Sequence, residues 1–121
     1  MLPEVFRALH PDLTIKESAI HGLGVFARAD IRAGTILGIS HVADRPPRYH
    51  CGYIRTPLGA FINHSSSPSC IKVGLEDDDS YSDLRAGKTS STMAIKTIVD
   101  IAAGSELTVF YTIYAIEEGG K

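Results

Sequence analysis

Apolar and polar positions along this chain fall into short runs, divided by glycine, proline and acidic turns. Leu13 to Ser18, with β-branched Thr14 and Ile15, predicts a short strand. In Ile20-His21-Gly22-Leu23-Gly24-Val25-Phe26-Ala27 the glycines permit a sharp bend, and Val25-Phe26-Ala27 predicts a second strand. Asp30-Ile31-Arg32-Ala33-Gly34-Thr35 reads as a turn feeding an apolar strand from Thr35 to Ser40. Between His41 and Pro57 the periodicity lapses, and Pro46, Pro47 and Pro57 predict a loop with one extended piece near Tyr53-Ile54.

Ile71, Val73 and Leu75 then alternate with Lys72 and Gly74, the period of a half-buried strand. The acidic run at 76–79 opens a polar segment reaching Ser91, read as an exposed hairpin arm. The return strand covers Thr92 to Val99, with Met93, Ile95 and Thr97 on one face. Asp100-Ile101-Ala102-Ala103-Gly104-Ser105 repeats the pattern of the Asp30 turn, and Glu106 to Tyr111 forms the last strand. Before all of these, Pro3 and Pro11 bracket Glu4 to His10, room for one or two helical turns. The picture is one mainly β domain.

Composition narrows the class. At 121 residues the chain can bury a real core but not two. Twelve Lys and Arg against fourteen Asp and Glu leave no basic footprint for nucleic acid. No apolar run approaches membrane-spanning length. Cys51 and Cys70 make neither a disulfide framework nor a four-cysteine zinc site, which fits an intracellular protein with reduced thiols. A site built from His50, Cys51, His64 and Cys70 matches no strong ligand spacing, so no metal is expected.

Candidate chemistry concentrates between Gly59 and Cys70. Phe61 and Ile62 run straight into Asn63 and His64, whose directional polar groups are costly to bury beside apolar ones unless each finds a partner. Such a run is either a satisfied polar core or a binding site. Asn63-His64-Ser65 also fits the N-glycosylation pattern, but Met1-Leu2-Pro3-Glu4 has no basic region and no apolar run follows it, so no glycan is expected. Gly22, Gly24 and Ala27 satisfy a relaxed dinucleotide-binding pattern. That reading needs a long helix next, and Gly34 and the strand-like Val25-Phe26-Ala27 deny it.

Three pieces in this order resemble the SET domain of protein lysine methyltransferases. They are Gly22 to Phe26 with Asp30 to Thr35, Phe61-Ile62-Asn63-His64-Ser65 with Pro68 and Cys70, and Glu106-Leu107-Thr108-Val109-Phe110-Tyr111. The similarity spans residues 13–114 of a single domain occupying 1–121, and its compactness resembles the small stand-alone viral and bacterial members. It implies a β-clip-like fold of several small, mostly antiparallel sheets, closed by a C-terminal pseudoknot that brings Asn63-His64 to Tyr111.

The resemblance also implies S-adenosylmethionine as cofactor and a protein or peptide lysine, for instance in a histone, as methyl acceptor. Gly22, Leu23 and Gly24 are then expected to line the methionine part through their backbone. Asn63 is expected to hold the cofactor's amino-acid end, and the backbone of His64 to meet adenine, its imidazole bonding within the core. Tyr111 is expected at the reaction centre. Methyl transfer needs nitrogen, methyl and sulfur in line, so positioning supplies much of the acceleration. A lysine near its ordinary pKa of about 10.4 must also be held neutral, which a sulfonium and a dry channel favour.

Several positions depart from the family pattern. Ser66 and Ser69 replace a frequent cysteine and asparagine, Phe110 a frequent aspartate, and Lys72 stands where some members carry a second active-site tyrosine. No cysteine-rich, zinc-bound tail follows Tyr111. The alternative to an enzyme is therefore a SET-like interaction module without catalysis. A solitary chain is expected to leave Tyr114 and Ile116 in the tail exposed, which with the Pro46-Pro47 loop favours a symmetric homodimer. The expected location is the cytoplasm, or a host nucleus for a viral, histone-directed enzyme.

Overall fold

In this computed structural model, which describes residues 9–43, 53–76, 80–84 and 91–110, the chain is mainly β. In chain order the elements are β1 (Leu13–Glu17), β2 (Leu23–Ala27), β3 (Ile36–Ala43), β4 (Tyr53–Arg55), α1 (Pro57–Phe61), β5 (Asn63–His64), β6 (Cys70–Leu75), β7 (Tyr81–Asp83), β8 (Thr92–Thr97) and β9 (Glu106–Val109). The strands order as β1-β2-β9-β6-β8-β3-β4, with β5 paired to β9 and β7 to β6. Most neighbours are antiparallel, while β9 runs parallel to β5 and to the start of β6.

That exception positions the site. Val109 pairs with His64 on one side and Cys70 on the other, so β9 passes between the two ends of the loop 65–69. Serines stitch the crossing. The Ser65 amide donates to the Val109 carbonyl at 3.1 Å, and the Thr108 amide to Ser69 Oγ at 3.1 Å. Ser69 returns its own amide to Thr108 Oγ1 at 3.3 Å. A C-terminal strand held by the loop it crosses is the pseudoknot arrangement expected from the sequence.

The apolar alternation becomes one main core of Leu13, Val25, Leu37, Leu58, Ile62, Ile95 and Leu107 with their neighbours. Ile71, Val73 and Ala94 form a smaller cluster on the other side of β6. Residues 70–74 are consequently all buried, a correction to the half-buried strand read from the alternation. Lys72 at mid-strand is only 4% exposed.

Where a loop was expected from His41, β3 continues through His41 and Val42 to Ala43, the extended piece near Tyr53-Ile54 is β4, and α1 begins at Pro57. Three features make this helix: Pro57 preset at its first position, Thr56 accepting from the Gly59 amide, and buried Leu58. The Thr56 hydroxyl also donates to the Ile39 carbonyl at 2.7 Å, tying the cap to β3. A Cβ on Gly59 would run into the Ser40 carbonyl and lie 3.2 Å from the His41 ring. Gly59→Ala is therefore expected to lose about 1–3 kcal/mol, measured by chemical denaturation, because backbone and not a movable side chain blocks the methyl group.

The two acidic turns meet. The Ala33 amide donates to Asp100 Oδ1 at 2.8 Å, and the Ala103 amide to Asp30 Oδ1 at 2.9 Å. Ile31 and Ile101 exchange backbone bonds of 2.8 and 2.7 Å between them. Gly34 and Gly104 take matching φ angles of 88° and 89°, which other residues adopt at a cost. The repeated hexapeptide is thus a reciprocal clasp.

Candidate functional site

Asn63 follows Ile62, the cap that ends α1, and opens β5, which places its side chain beneath the turn between β1 and β2. The amide is buried, and all its hydrogen-bond contacts run through Nδ2. These reach Glu106 Oε2 at 2.8 Å, the His21 and Leu23 carbonyls at 3.1 Å each, and Ser18 Oγ at 3.2 Å. Two hydrogens are shared among four acceptors, so Nδ2 is saturated and Oδ1 is left as the amide's acceptor. A glycan on Nδ2 has no room.

Glu106 is the second pillar. Ser18 Oγ donates to its Oε1 at 2.7 Å and Oε2 at 2.9 Å, while the Ile20 amide donates to Ser18 at 2.9 Å. Ser18 directly follows β1, Glu106 starts β9 and Asn63 starts β5, so three strand ends converge. The carboxylate fills the space over Gly24, where a Cβ would run into it and lie 3.0 Å from Asn63 Nδ2. Close approach at Gly24 therefore serves the chain's own carboxylate. Gly22, at φ 43°, has nothing within 4 Å of a Cβ position, and Leu23 is exposed beside it.

The sequence-predicted residues Gly22, Leu23, Gly24 and Asn63 are brought together. His64 follows on β5, half-buried, its ring tilted against Phe110 at 4.9 Å. Ser18 and Glu106 were not expected in the site. Glu106 could have been singled out, since a carboxylate opening a strand whose next three residues are buried must find partners. Tyr111 lies outside the described residues, as do Tyr114, Ile116, Pro46, Pro47, His50 and Cys51. Among the described residues no group of three metal-ligating side chains comes together. Cys70 is buried, and desolvation pushes its thiol up to about 11.

Across the loop from Asn63, a cleft of about 380 Å³ is lined by Pro68, Ile71, Lys72, Leu84, Ile98 and Phe110 among others. Burial lowers the Lys72 ammonium to about 8. His41, 1% exposed, is lowered to about 4, first by desolvation and then by the positive charges of Lys72 and Arg55. Its Nδ1 lies 2.8 Å from Ser40 Oγ, and Tyr53 meets the ring edge-on at 6.0 Å.

The folded chain thus takes up the His41 proton only near pH 4, whereas an unfolded imidazole does so near 6.5. Stability is expected to fall as pH drops from 6.5 to 4, by on the order of 3 kcal/mol, with no contribution above that window. Urea midpoints across this range check it, and in His41→Gln the slope between pH 6.5 and 4 is expected to flatten.

A family model for the SET domain matches residues 39–112, and the chain belongs to that family, the protein lysine methyltransferase family. Solved structures share the fold. A Plasmodium falciparum protein described as a candidate histone methyltransferase superposes with a TM-score of 0.58 at 19% identity, covering 83% of this chain and 92% of its own. The methyltransferase domain of human PR domain-containing protein 2 gives 0.54 at 16%, covering 82% and 76%. A humanized mutant of the Chaetomium thermophilum Polycomb Repressive Complex 2, bound to an inhibitor, gives 0.58 at 18%, with 84% of this chain matching 15% of that one. No curated protein sequence matches the chain. No helix among the described residues is long and apolar enough to cross a membrane.

Proposed function

We propose that this chain is a protein lysine methyltransferase that uses S-adenosylmethionine. The observation that carries this reading is the junction of Ser18, Asn63 and Glu106 beside the open turn at Gly22, in a chain of the SET domain family. Carbonyls, a carboxylate and an amide oxygen outnumber donors there. Such a cluster suits the ammonium of the cofactor's zwitterionic amino-acid end.

Asn63 Oδ1 and the backbone of Gly22 and Leu23 are assigned to hold that end, and the backbone of His64 to meet the adenine. When bound, the cofactor supplies an electrophilic methyl group on a sulfonium. The chain supplies position. Tyr111 orients the acceptor amine through its hydroxyl, and the apolar walls by Phe110 exclude water and keep that amine neutral. No acid nucleophile is required.

Calorimetry with S-adenosylmethionine, followed by labelled methyl transfer to histone peptides and lysate proteins, tests the proposal. Saturable binding with label on lysine is the expected result. A folded chain that binds no cofactor and transfers no label is instead a SET-like interaction module.

A further inference from the structure

Glu106 reaches the candidate cofactor corner from the start of β9, yet its carboxylate is engaged by the chain's own groups. Ser18 Oγ donates to its two oxygens at 2.7 and 2.9 Å, and Asn63 Nδ2 donates to Oε2 at 2.8 Å. That last contact is the shortest of the four made by the amide. The Ser18 hydroxyl also accepts the Ile20 amide at 2.9 Å and the His21 amide at 3.3 Å. The carboxylate therefore braces the same turn whose His21 and Leu23 carbonyls Nδ2 contacts.

An asparagine amide has two orientations half a turn apart, which exchange its acceptor for its donors. Turned over, Oδ1 would face a carboxylate and two carbonyls, acceptor against acceptor. A hydrogen bond to an ionised acceptor is roughly twice as strong as one to a neutral acceptor, so Glu106 outweighs either carbonyl in fixing the choice.

We infer that Glu106 is a positioning residue for the cofactor, keeping Asn63 Oδ1 available as an acceptor and so making the site selective for a ligand with an ammonium. The inference rests on the S-adenosylmethionine reading of this corner. Glutamine at position 106 keeps the shape but brings an NH2 group, which tolerates Oδ1 turned inward. The loss then falls on the ligand's ammonium and not on its adenine or sulfonium.

Calorimetry with two ligands tests this: S-adenosylmethionine and its deaminated analogue, identical but for the ammonium, with weak binding read by displacement. Glu106→Gln is expected to bind S-adenosylmethionine roughly fivefold to tenfold more weakly, while affinity for the analogue stays within about twofold. A purely structural role would weaken both ligands by the same factor. That result overturns the inference, as does unchanged affinity for S-adenosylmethionine.

Ser18→Ala removes the hydroxyl that orients the carboxylate, and a ligand-selective loss of about twofold to fivefold is expected there too. It carries the test should Glu106→Gln fail to fold, and equal loss for both ligands again overturns the inference. An unaltered chain that binds no S-adenosylmethionine overturns the proposed function and the inference together.

Discussion

Asn63→Ala is expected to weaken S-adenosylmethionine binding between tenfold and a few hundredfold, the largest binding defect of any single truncation in the site. Loss of a hydrogen bond to a charged group costs about 1.5–3 kcal/mol, and here Oδ1 is the acceptor assigned to the cofactor's ammonium. Removing the amide also strips a donor from Glu106 and from the His21 and Leu23 carbonyls, so a stability loss of about 1–3 kcal/mol accompanies it. Calorimetry below the variant's melting temperature separates the two effects. Full affinity in the folded variant removes Asn63 from cofactor binding and leaves it as the pin of three strand ends.

Tyr111→Phe should do the reverse. The fold and cofactor affinity are expected to persist while the turnover of methyl transfer drops at least tenfold, because one hydroxyl acts only once the amine and methyl are aligned. Single-turnover kinetics with saturating cofactor reads this directly. Unchanged turnover in a folded variant strikes Tyr111 from the mechanism.

Most strands were legible: Leu13 to Glu17 from its β-branched residues, Thr92 to Thr97 from the face shared by Met93, Ile95 and Thr97, and Glu106 to Val109 within the last strand expected. Helix α1 was not, because five residues including Pro57 and Gly59 give no period, and its stability comes from the Thr56 cap and from packing on β3. Lys72 misled for another reason. Alternation reports one covered face, and β6 is covered on both.

The site was legible as a motif but not as a network. Asn63 was visible from its neighbours. Its true counterparts, Ser18 and Glu106, lie 45 and 43 positions away and meet only once β9 is threaded. Ser69 was read only as the replacement of a frequent asparagine, yet its hydroxyl accepts the Thr108 amide and holds the crossing shut.

The reciprocal clasp of the two acidic turns has a consequence for how the molecule comes apart. Each turn borrows its cap from the other, over separations of 67 and 73 positions. Bringing ends so distant together costs roughly 4 kcal/mol of chain entropy, and one closure satisfies both turns at once. Neither half can therefore complete its own turn while the other is unfolded. A proteolytic nick between them, even one that leaves every strand intact, turns a domain that unfolds as a unit into two fragments whose association is diluted away with concentration.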